Sequence, residues 1–168
     1  MKQTVRQTHR VPSRPAPDLD RIRYLILGAQ REGSRMMAAS LRETGLTPAQ
    51  AEVLEVVKQH GPLTLAELGK RLVCETGSPS RLVDTLVQRG FISRERGEED
   101  RRTVTLTLTA LGDETVDEVV KHGGLRDHIA AHLTPHEVGD LANLLRKLLS
   151  ATRTGEALAL RFPAGGAG

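Results

Sequence analysis

At Gly90 the hydrophobic period of this chain changes from helical to two, and few folds accommodate that switch within so short a stretch. Before it, Ser78-Pro79 is a helix start: serine can accept orphan backbone N–H groups, and proline suits the first helical position. The helix predicted from there runs to Arg89 and stops at Gly90. Leu82, Val83, Leu86 and Val87 share one of its faces, and Arg81, Asp84, Thr85 and Gln88 share the opposite one. Beyond Gly90, Phe91-Ile-Ser-Arg-Glu-Arg96 reads as a strand, and residues 103–109 alternate strictly as a second. The tip between them, Gly97-Glu-Glu-Asp-Arg-Arg102, is charged and too polar to pack. A short helix with an outward arginine and amide, followed by a hairpin with an arginine tip, is suited to contacting duplex DNA.

The flanking segments are helical. From Asp18 to about Thr44, Leu19, Ile22, Leu25 and Ile26 form one apolar stripe that Met36, Met37 and Leu41 continue, and Gly45 ends it. Thr47-Pro48-Ala-Gln50 is a threonine cap with glutamine at the third helical position, opening a helix to about Gln59. Leu63 is placed to bridge to the later hairpin. Thr64-Leu-Ala-Glu67 is a second capping box and begins a third helix, ending near Leu72. Two short helices joined by a tight turn, the second amphipathic, make a helix-turn-helix pattern, and the hairpin after it specifies a winged helix. Thr109 can cap a fifth helix, which His122-Gly-Gly124 interrupts. Thr134-Pro-His-Glu137 then opens a last helix carrying Val138, Leu141, Leu144, Leu145, Leu148 and Leu149 at helical spacing. So long an apolar row on a terminal helix is either intramolecular core or a dimer interface; the dimer is the favoured expectation.

Composition narrows the function. The 168 residues hold no Trp, and Tyr24, Phe91 and Phe162 are the only aromatics, too few for stacking modules that bind single strands. A net charge of +3 permits a polyanionic partner without requiring one. Residues 76–109 hold six Arg and five acids, so DNA binding there depends on placement and not on bulk charge. Residues 1–17 contain Lys2, Arg6, Arg10 and Arg14 and no acid, which reads as a disordered basic arm. One cysteine, Cys74, fits a reducing compartment, and no apolar run reaches membrane length, so a cytoplasmic protein without a membrane partner is expected. Phosphate-binding glycine loops, nucleophile elbows and H-E-x-x-H are missing, so neither an enzyme nor a cofactor is expected. His128 and His132 are spaced i, i+4 and are the weak candidates for a metal site, with no Cys-rich motif to complete it.

Leu46-Thr-Pro-Ala-Gln50, Val53-Leu54, Gly61-Pro-Leu-Thr64, Glu67-Leu68, Arg81-Leu-Val-Asp84, Arg89-Gly90, Asp100-Arg-Arg102 and Leu108-Thr109 together resemble the MarR (multiple antibiotic resistance regulator) family, in order and spacing over about residues 20–150. The resemblance implies a homodimeric winged-helix transcription factor, usually a repressor on a pseudo-palindromic operator, often released by a small-molecule effector. The expected fold is mainly α with a small β-hairpin wing. A helical dimerisation domain would comprise 18–45 and 110–153, a winged helix-turn-helix domain 46–109, and a flexible tail 154–168. The alternative is a winged-helix protein-interaction module without DNA binding.

Within that frame Arg81 is the expected base reader, since a guanidinium can bond guanine O6 and N7 together. Thr85 and Gln88 are secondary readers, and Ser78 and Ser80 are placed to donate to phosphates. Arg101 at the wing tip would enter a narrow minor groove. Arg94 and Arg96, on the first wing strand, are candidate backbone contacts. Arg102 divides between DNA contact and a pair with Asp84 that the resemblance suggests, and Asp84 and Asp100 are assigned to orienting the wing.

Overall fold

The computed structural model describes residues 18–73, 78–96, 103–121 and 123–163. The chain divides into two compact units, residues 1–32 and residues 33–168. The described part of the first is helical: Asp18 accepts the Arg21 amide at 2.9 Å and starts α1 (Leu19–Ser40), on which Leu19, Ile22, Leu25 and Ile26 are exposed. The second unit contains the end of α1 and α2 (Pro48–His60), β1 (Leu63–Thr64), α3 (Leu65–Gly69), α4 (Pro79–Gln88), β2 (Ile92–Arg96), β3 (Val104–Leu108), α5 (Ala110–Lys121), α6 (Gly124–His132), α7 (Pro135–Leu149) and α8 (Arg153–Arg161).

Local chemistry sets most of these boundaries. Thr47, Thr64 and Thr134 each form the full reciprocal capping box, with Gln50, Glu67 and Glu137 returning to the cap backbone. The Glu67 and Glu137 carboxyls are held below the ordinary glutamate pKa, chiefly by the amides of Thr64 and Thr134 that they accept. Gly90, at φ 78°, turns the chain from α4 into β2, a conformation that side chains with a Cβ rarely adopt. Thr109 caps α5 by accepting from Gly112 N at 3.1 Å, while its hydroxyl donates to Gly90 O at 2.6 Å. The turn after α4 and the start of α5 are thereby tied together.

The three strands form an antiparallel sheet in the order β1-β3-β2, with Leu63 opposite Leu106, and Ile92 and Arg94 opposite Leu108 and Leu106. The bridge expected at Leu63 is therefore a two-residue strand. Val53, Leu54, Leu68, Val83, Leu86, Ile92 and Leu106 are sealed in one core between α2, α3, α4 and the sheet. Burying a Leu or Ile side chain contributes roughly 1.5–3 kcal/mol, so this cluster is what holds α4 in place. Lys58 on α2 joins Asp113 and Asp117 on α5 at 2.9 and 2.8 Å, and its hydrogen bond to Asp117 is the main reason its pKa is raised.

Two expectations need correction. The third helix ends at Gly69 and not near Leu72, five residues being enough to bury Leu68. Residues 154–168, expected as a flexible tail, instead begin with α8. Thr152 accepts the Gly155 amide at 3.0 Å, Ala157 is buried, and Arg161 forms ion pairs with Glu52 and Glu55. A small-residue composition concealed a capped helix with one apolar anchor and one ionic one. The interruption expected around residues 122–124 is present, since α5 ends at Lys121 and α6 starts at Gly124.

Candidate nucleic-acid interface

The core chooses which face of α4 reaches solvent. Val83 and Leu86 are buried, Leu82 and Val87 pack against the same cluster, and the opposite side is left to Arg81, Asp84, Thr85 and Gln88. Arg81, Asp84 and Gln88 are exposed; Thr85 is half-buried and donates to Arg81 O at 3.0 Å. Arg81 takes part in no ion pair among the described residues, which leaves its five N–H donors available. Ser78 occupies the N-cap position but does not cap: its hydroxyl lies 2.7 Å from that of Ser80. Pro79 has no amide and the Arg81 amide donates to Ser78 O at 3.0 Å, so the Ser80 amide is the one at this N-terminus without a partner among the described contacts, a position that favours an anion.

The wing meets α4 through sheet register. Residues at alternate positions share a face, so Ile92, Arg94 and Arg96 line one side of β2. Ile92 is sealed in the core, and Arg94 sits opposite the buried Leu106 on that same side. Its guanidinium therefore reaches α4, where Nη2 donates to Asp84 Oδ1 at 2.5 Å. Arg96, opposite Val104, is exposed one step further out. The other side of the strand is tied internally, Thr107 Oγ1 donating to Glu95 Oε1 at 2.9 Å. Asp84 thus has its cationic partner in Arg94; the pair expected with Arg102, and the wing-tip residues Asp100 and Arg101, lie outside the described residues, as does Cys74.

One residue that positions this surface escaped the sequence reading. Arg89, just past α4, donates to Gly45 O at 3.1 Å and Thr44 O at 3.2 Å, and its guanidinium lies 4.9 Å from the Phe91 ring centroid. It clamps the C-terminal end of α4 to the turn between α1 and α2. In sequence it looks like any arginine at a helix end, where positive charge suits the dipole. The His128 and His132 rings lie with centroids 4.1 Å apart and planes tilted by 34° on an exposed face, and no group of three or more metal-ligating side chains forms among the described residues. No described helix is long and apolar enough to cross a membrane.

A short helix with an exposed arginine on its polar face, preceded by a second helix and followed by a two-stranded hairpin that pairs with β1 from ahead of both helices, is the arrangement of a winged helix-turn-helix. The MarR family model matches residues 46–104, from the start of α2 to the second wing strand. The repressor MdtR of Bacillus subtilis is 32% identical over 121 residues, covering 71% of this chain and 78% of its own. The chain belongs to the MarR family. The multiple antibiotic resistance protein MarR of Escherichia coli is 30% identical over 127 residues, which cover 74% of this chain and 88% of the relative. A crystal structure of a mutant E. coli MarR complexed with operator DNA matches with a TM-score of 0.67 at 28% identity, covering 80% of this chain and 99% of that one. This MarR-family protein is a DNA-binding transcriptional regulator with a winged-helix fold.

Proposed function

We propose that the protein is a cytoplasmic homodimeric repressor that sets α4 in the major groove of a pseudo-palindromic operator and is released by a small-molecule effector. The observation that carries this reading is Arg81, exposed and unpaired among the described residues at the start of a helix whose other face is locked in the core. A rigid helix can aim a guanidinium at one guanine, whereas a mobile segment cannot. The Ser78 and Ser80 hydroxyls and the Ser80 amide are the phosphate donors beside it; Thr85 and Gln88 extend the reading face. Arg96, with Arg101 and Arg102 beyond it in sequence, supplies the wing contact, and Arg94 with Asp84 orients the wing.

The dimer is supported by α6 and α7, neither of which buries a residue in the single chain. On α7, Val138, Leu141, Leu144, Leu145 and Leu148 remain exposed at helical spacing. A row of that length needs a partner surface. The primary test is a mobility shift on the duplex upstream of the protein's own gene. Retarded complexes that survive excess random duplex are expected; retardation by neither duplex would make the protein an interaction module.

Asp84 and Arg94 are 51% and 43% exposed in their side chains, so their pair is worth only about 0–1 kcal/mol of stability. Its value is positional, because it fixes the wing against α4. Asp84→Ala and Arg94→Ala are expected to weaken operator binding while hardly moving the melting temperature, with the double variant losing less than the sum. A double-mutant cycle on DNA affinity measures this, and strictly additive losses would contradict the role.

A further inference from the structure

Among the described residues Glu52 is the one charged residue that is buried, on α2 between Ala51 and Val53. A carboxylate in that position has to be satisfied by directed donors. Two of them reach it from distant parts of the chain. The Val73 amide, four residues past the end of α3, donates to Glu52 Oε1 at 2.7 Å. The Arg161 guanidinium, at the end of α8, donates to the same oxygen through Nη1 at 3.2 Å. Arg161 also donates through Nη2 to Glu55 at 2.5 Å and through Nε to Gln59 at 3.3 Å, and its carbonyl accepts from His60 Nε2 at 3.0 Å. One residue of α8 therefore holds four positions of α2. Arg126 on α6 is the other cation lining the space beside the two carboxylates; it is exposed, whereas the Arg161 side chain is only 9% exposed and bonded to both.

A buried ion pair adds little net stability over an apolar pair of the same volume, but its directed bonds fix where each partner sits. Here the fixed atom is the acceptor for the last described amide before α4, five positions ahead of Ser78. The other end of α8 is fastened too. Thr152 accepts the Gly155 amide at 3.0 Å, and a Cβ on Gly155 would lie 2.1 Å from the backbone oxygen of Leu149, so α8 turns back on the end of α7 only with glycine there. Ala157, between these two anchors, is buried.

We propose that α8 is a latch for the recognition helix: Arg161 positions Glu52, and Glu52 positions the entry of the chain into α4. The role rests on α4 being the helix that reads the operator. Arg161 is a positioning residue that acts through Glu52 and Val73 on where Ser78, Ser80 and Arg81 meet the groove. Directed base contacts depend on that placement more than phosphate contacts do, so loss of the latch costs specificity before it costs general DNA affinity.

Arg161→Met and Gly155→Ala in the full chain release the latch from opposite ends, and the second leaves every side chain around Glu52 unaltered. Amide hydrogen exchange without DNA is the first readout. In both variants Val73 is expected to gain at least about tenfold in exchange rate relative to the Leu54 amide inside α2. Fluorescence anisotropy is the second readout, with operator affinity expected to fall about tenfold and scrambled-duplex affinity less than about threefold. A melting curve verifies each fold, and Gly155→Ala decides the matter should loss of the Arg161 charge unfold the chain. Natural Val73 exchange in a folded Gly155→Ala variant would overturn the proposal, as would faster exchange with an unchanged ratio of operator to scrambled affinity. A natural protein that binds both duplexes alike would contradict the operator reading itself, whereas the latch fails only through the variants.

Discussion

Gly112→Ala is expected to cost about 3 kcal/mol of stability, as much as removing a large core side chain. A Cβ built on Gly112 lies 2.1 Å from the backbone oxygen of Phe91, a contact no rotamer change can relieve. That oxygen is already the acceptor for the Thr109 amide at 3.1 Å, so the start of α5 is pulled directly onto the end of the α4–β2 turn. Making room means lifting α5 away, which loosens the Thr109 bonds to Gly90 and Phe91 together. Each such hydrogen bond is worth roughly 0.5–1.5 kcal/mol, and the strain of overpacking adds to it. Urea unfolding of the variant and the natural protein at one protein concentration measures the difference. An unchanged midpoint would mean that α5 does not approach Phe91 as described.

Leu145→Glu combined with Leu148→Glu is expected to convert the proposed dimer into a folded monomer. Both leucines are exposed in the single chain, 40% and 56%, and neither belongs to the core around Leu54 and Leu86. The substitutions therefore leave the winged-helix core intact. In a dimer each chain would press two carboxylates against the partner's apolar row, at several kcal/mol after relaxation or partial protonation. Sedimentation velocity at micromolar concentration reads the outcome, with circular dichroism to verify the helices. A folded double variant that stays wholly dimeric would place the interface elsewhere.

The sequence carried the elements better than it carried their connections. Threonine with glutamine or glutamate three residues on is a local signal, and Thr47, Thr64 and Thr134 each start a helix for that reason. The change of period at Gly90 is local too, and it delivered both wing strands to within a residue or two of their ends. What could not be read was pairing across the chain. Asp84 was assigned an arginine by resemblance, but its partner Arg94 follows from the register that puts Arg94 opposite Leu106. Arg89 became a clamp only because the turn between α1 and α2 folds beneath it. The largest omission was α8: Arg161 and Glu52 are 109 positions apart, and nothing local marks an arginine near a glycine-rich terminus as a buried one.

The central claim is that α4 reads bases through Arg81, and fluorescence anisotropy on operator and scrambled duplexes at several salt concentrations tests it most directly. Arg81→Ala is expected to cost about 1–3 kcal/mol per half-site on the operator, where two hydrogen bonds to one guanine are lost. On scrambled duplex, where that guanine is rarely in register, the loss should be smaller. A phosphate contact behaves differently, weakening both duplexes alike and reducing the slope of log affinity against log salt by about one. Operator affinity falling well below natural while scrambled affinity holds is the predicted result. An equal loss on both would make Arg81 a phosphate clamp, and no loss on either would move the DNA site off α4.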